Sequence, residues 1–233
     1  MKISLQIDKN VGSREMDNFA LRWVRLTSEI LNDATAIKPT RDITVQFSPT
    51  FPVPFTYNQS NQALIGLSIN DLKYWAQIAF QFSHEYCHYL INSPINPQPK
   101  GEWFEEVICE CASRFTLLRL NEDDMAKLLF NGSFKEYGLN RQKARAKHFS
   151  LEGLNDSPLL EHLRTNHEDR LYFNYIANLI MPIINKDDSF WESIPGLAYF
   201  KDDNTFLENL NVWYERSPEN AKPQVDEIIN LFR

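Results

Sequence analysis

The residues best suited to do chemistry in this chain are His84, Glu85 and His88, within Gln81-Phe82-Ser83-His84-Glu85-Tyr86-Cys87-His88-Tyr89-Leu90. On a helix, four residues advance slightly more than one turn, so His84 and His88 project from nearly the same face. Two imidazoles placed in this way chelate one Zn2+, and Glu85 flanks them as a base for water. This is the His-Glu-x-x-His pattern of metal-assisted hydrolysis.

The pattern needs a helix to carry it and a third ligand to complete it. Asn70 is positioned to cap a helix running from Asp71 to about Ile91. Leu72, Trp75, Ala79, Phe82 and Tyr86 recur at helical spacing and give it a buried stripe. A histidine or glutamate set that deep is costly unless it is partnered. After the proline-rich turn from Ser93 to Gly101, a second helix opens at Glu102. On it, Glu106 and Glu110 share a face one turn apart, and a carboxylate there supplies a third ligand, leaving a fourth position open. The thiols do not fit the same role. Cys109 and Cys111 point about 200° apart on a helix, and Cys87 lies about 100° round from His88, so all three read as small buried hydrophobes.

At these residues the chain resembles the gluzincins, zinc peptidases in which His-Glu-x-x-His is followed by a glutamate ligand on the next helix. Trp103-Phe104-Glu105-Glu106 is similar to the Trp-x-x-Glu of that second helix, and the seventeen residues from 89 to 105 resemble the usual separation. The resemblance covers about residues 63–113. It implies His84, His88 and Glu106 as zinc ligands, Glu85 as the base, and Glu110 as the residue that orients a ligating histidine. It also implies a peptide or protein substrate paired along an edge strand above the metal. Ala63–Ile69, directly before the motif helix, reads as a third strand and as that edge, with Gly66 marking a close backbone approach or a bulge. Gluzincins often take a further proton donor from their C-terminal half, for which His148, His162, His167, Tyr137 and Tyr172 are candidates.

The expected fold is α+β. A small N-terminal sheet with an edge strand precedes the zincin active-site helices and a mostly helical C-terminal half. Residues 1–120 read as a zincin-like catalytic core and residues 121–233 as a helical half packed on it as one compact unit. Strands are expected at Lys2–Ile7 and Asp42–Phe47. A helix from about Ser13 to Asn32 carries Met16, Phe19, Trp23, Leu26 and Ile30 as its apolar face, and prolines 49, 52 and 54 interrupt regular structure after Phe47. Beyond Arg119, helical segments are expected near 122–130, 140–148, 157–163, 166–184, 204–214 and 224–232.

Composition narrows the partners. With 43% hydrophobic and 13% aromatic residues over 233 positions, the chain has the means to build a core. A net charge of −7 argues against nucleic acid recruited by global charge. Arg141–His148 is the single basic run and reads as a solvated helix face. No stretch has the apolar length of a membrane span and the first residues lack a signal-peptide core, so a cytoplasmic location and no membrane partner are expected. Compact cytosolic gluzincins of the ImmA type, which cleave a repressor, resemble this layout. The alternatives are a regulatory or binding protein that keeps a zinc fold without proteolysis, and a toxin or defence effector with a single target.

Overall fold

A computed structural model describes residues 1–11, 14–58, 61–91, 102–124, 127, 132–143, 149–152, 154–166 and 169–233. The architecture is α+β, with its sheet in the N-terminal part of the chain. Two compact units are distinguished among the described residues. The first takes in Met1–Asp33, Ile37–Leu90 and Ala112–Arg141, and the second Ala34–Ala36, Ile91–Cys111 and Gln142–Arg233.

The first unit holds the sheet. Its strands are β1 (Ile3–Ile7), β2 (Asp42–Ser48), β3 (Phe55–Asn58) and β4 (Gln62–Ser68), in the order β1-β2-β4-β3. β1, β2 and β4 are parallel, and β3 runs antiparallel to β4. Ile43, Val45 and Phe47 alternate along β2, and all three are buried, which fixes its register because a one-residue slip would expose the set. Helix α1 (Arg14–Thr35) supplies the crossover from β1 to β2. Its buried face is Ala20, Trp23, Val24, Thr27 and Leu31, rotated from the expected stripe, and Phe19 is 43% exposed. Polar Thr27 and Ser28 lie inside, which apolar periodicity alone does not register.

Helix α2 (Trp75–Ile91) carries the motif. It starts four residues later than its apolar pattern predicts. The Asp71 carboxylate accepts from the Lys73 backbone N–H at 2.9 Å, and Tyr74 N–H donates to Asp71 C=O at 3.1 Å, so 71–74 is a turn. Helix α3 (Glu102–Glu122) opens where expected, while the turn from Ser93 to Gly101 lies outside the described residues. Helix α4 (Ser133–Lys143) follows Gly132, whose φ of +83° suits a glycine. It buries Phe134 against Trp23 in a cluster with Ala79, Phe80, Leu117 and Leu120. The helix expected over 140–148 overlaps α4 at 140–143, and 144–148 lie outside the described residues.

The strand expectation needs one correction. The gluzincin resemblance implies Ala63–Ile69 as an edge strand, but β4 is internal, paired with β2 on one side and β3 on the other. The edges are β1 and β3, the latter in the stretch that the prolines interrupt. Four residues after a proline cluster give too short an alternation to be read from sequence. Gly66 does mark a close approach. A Cβ there would lie 2.2 Å from Phe55 Cε1, because the Phe55 ring crosses the sheet face at this point.

The second unit is helical: α5 (Pro158–Thr165), α6 (Arg170–Ile184), α7 (Phe206–Arg216) and α8 (Lys222–Asn230). Ser157 caps α5 through Leu159 N–H at 3.1 Å with Pro158 at the first helical position. Thr205 and Glu208 cap α7 reciprocally, at 3.2 and 2.7 Å. A 3-10 segment over Asp188–Tyr199 has no counterpart among the expected helices. Its buried Trp191, Ile194 and Leu197 fall at the three-residue period of that helix type, a pattern an α-helical template misses.

Candidate metal centre

On α2 the two histidine rings lie one above the other, their centroids 5.2 Å apart. Hydrogen bonds to other elements fix the rotation of this helix, and its own rings stack along it. Phe82 and Tyr86 stack at 5.2 Å, Tyr86 and Tyr89 at 5.3 Å. The Tyr86 hydroxyl donates to Asn32 Oδ1 at 2.7 Å, and burial pushes its pKa well up. Gln77 and Gln81 donate to the Ser68 carbonyl, at 3.3 and 3.0 Å, tying the same helix to the end of β4. Ser113, in the second half of α3, donates to Phe80 C=O at 3.0 Å.

The first turns of α3 are set by aromatic burial. Trp103 and Phe104 are both fully buried. Trp103 packs on Phe206 at 4.7 Å, and Phe104 meets Phe206, Trp213 and Phe232 at 5.4–5.8 Å. Removing one such ring costs about 3–5 kcal/mol, so Phe104→Ala would loosen the turn that carries Glu106.

His84, His88 and Glu106 come together. One ligand atom from each lies within 4.8 Å of the others, His84 being buried and the other two half-buried. Among the described residues this is the one group of three or more His, Cys, Asp or Glu side chains so disposed. Two imidazole nitrogens and a carboxylate oxygen are a donor set suited to Zn2+. A tetrahedral ion with bonds of about 2.1 Å holds its donors about 3.4 Å apart, a separation inside the 4.8 Å limit of this group. No family model matches the chain, and no curated protein matches it.

Around this group, Glu85 is 5% exposed and Glu110 1%. Glu110 sits one turn beyond Glu106 on α3, as its spacing implies. The Glu106 carboxylate faces a partner the sequence does not reveal, Arg170 at the start of α6, with Nη1 3.5 Å from Oε2. Glu85 has one too. The Thr56 hydroxyl on β3 lies 2.9 Å from Glu85 Oε2 and 2.8 Å from the Glu85 backbone carbonyl. Neither residue carries a motif; both come from segments distant in sequence.

Cys87, Cys109 and Cys111 are each fully buried, as expected of small hydrophobes. Glu105 is buried as well, but it is not part of the group formed by His84, His88 and Glu106. Of the proton-donor candidates, His148 and His167 lie outside the described residues. His162 has partners on both ring nitrogens, Asp169 at 2.9 Å and Asn166 at 3.2 Å, and Tyr172 packs edge-on against it. That arrangement ties the end of α5 to Asp169 and Tyr172. Tyr137 packs on Phe80. No described helix is long and apolar enough to cross a membrane.

Proposed function

We propose that this protein is a zinc-dependent peptidase, with His84, His88 and Glu106 holding the metal and Glu85 acting as the base. The observation that carries the reading is the grouping of those three donors within 4.8 Å of one another, with buried Glu85 next in sequence to the first of them. Bound there, Zn2+ supplies a Lewis acid that polarises a carbonyl and makes water easier to deprotonate. Glu85 takes a proton from the attacking water as the new C–O bond forms, and returns it to the amine as the C–N bond breaks. Glu110, buried one turn beyond Glu106, is the candidate for holding a ligand in orientation.

An extended peptide or protein segment is the substrate class that suits the sheet. β3 ends the strand order, and Tyr57 on it is 46% exposed. A peptide adding to that edge gains backbone hydrogen bonds, and the Thr56 contact puts the strand within one hydrogen bond of Glu85. The test is metal analysis of the purified protein, followed by proteome-wide cleavage mapping of wild type against Glu85→Gln. Stoichiometric zinc with cleavages lost in the variant supports the reading. Stoichiometric zinc without any Glu85-dependent cleavage points instead to a regulatory zinc-fold protein.

A further inference from the structure

Thr56, on edge strand β3, touches the proposed base. Its hydroxyl has a single hydrogen and two acceptors in reach, Glu85 Oε2 at 2.9 Å and the Glu85 carbonyl oxygen at 2.8 Å. Glu85 is 5% exposed, so water is a poor substitute for this partner. The threonine is held in place by the ladder, Thr56 pairing with Ile65 on β4. Its rotamer is further restricted by β-branching.

We infer that Thr56 is a positioning residue for Glu85, coupling the substrate-binding edge of the sheet to the base. The inference rests on the peptidase reading above. A hydroxyl suits the task because it donates to one carboxylate oxygen, Oε2, and holds it in place. The other oxygen, Oε1, is left to take the proton from water and return it to the leaving amine, with no transfer to Thr56. A peptide drawn onto β3 therefore bears on the strand that sets the angle of the base.

The test has an arm that needs no substrate. In metal-free protein, a double-mutant cycle of Thr56→Val and Glu85→Met is read by thermal midpoint. Thr56→Val is expected to lower the midpoint by about 2–4 °C when Glu85 is present and by clearly less when it is methionine. In zinc-loaded protein, on a substrate found by cleavage mapping, Thr56→Val should lower kcat about tenfold with KM and zinc affinity unchanged. Thr56→Ser, which keeps the hydroxyl, should recover most of both losses. Additive midpoints, or a valine variant with wild-type kcat, overturn the inference while leaving the peptidase reading intact. Coupled midpoints in a wild type that cleaves nothing overturn the peptidase reading, and any catalytic role for Thr56 with it.

Discussion

Arg170 Nη1 lies 3.5 Å from Oε2 of Glu106, the carboxylate grouped with His84 and His88. A guanidinium keeps its charge at all working pH values, so it repels any cation held by that carboxylate. With 39% of the Arg170 side chain exposed, solvent and salt screen the effect. Arg170→Gln is therefore expected to tighten zinc about threefold to tenfold at low ionic strength, with the gain fading near 1 M salt. Chelator competition at the two salt concentrations measures it. Weaker zinc binding in the variant would mean that Arg170 braces Glu106 more than it repels the ion.

Glu85→Gln should keep the fold and the metal and lose hydrolysis by on the order of 10²-fold or more, since glutamine matches the size but cannot take the proton. Turnover of a mapped substrate by purified wild type and variant is the check. Equal rates would remove Glu85 from the mechanism.

The sheet topology gives a prediction about stability. Leu67 is fully buried on β4 and pairs with Phe47. Proline there removes a ladder donor from an interior strand, so Leu67→Pro should fail to give folded protein. Circular dichroism and thermal melting would show it. A folded variant with a wild-type midpoint would mean that β4 is not an interior strand.

Part of this arrangement is legible in the sequence, and the part that is not has a physical reason. His84, His88 and Glu106 lie on helices whose phase is set locally, by runs such as Phe82-Tyr86 and Trp103-Phe104, so counting turns anticipates that they come together. The same counting starts α2 too early, because the Asp71 side chain competes for the backbone of the first turn. β3 escapes notice because a four-residue edge strand after prolines has little pattern of its own and exists through its partner. Thr56 and Arg170 are illegible for the same reason: each meets its glutamate only through tertiary structure, 29 positions away for Thr56 and Glu85. The face of α1 is misjudged because buried Thr27 and Ser28 do not look apolar.

The identity of the third ligand is the centre of the account, and zinc affinity across three neighbouring glutamates tests it most directly. One residue turns a helix by about 100°, so Glu105 and Glu106 cannot both face the histidines. Competition titration with a chelator should show the greatest loss of zinc in Glu106→Gln, because only two histidines remain. Glu110→Gln should lose an intermediate amount, about 10–100-fold if it orients a ligand. Glu105→Gln should leave zinc affinity unchanged, even if the loss of a buried carboxylate alters stability. Release of the metal by Glu105→Gln, with Glu106→Gln still holding it, would contradict the account and take the role assigned to Glu110 with it.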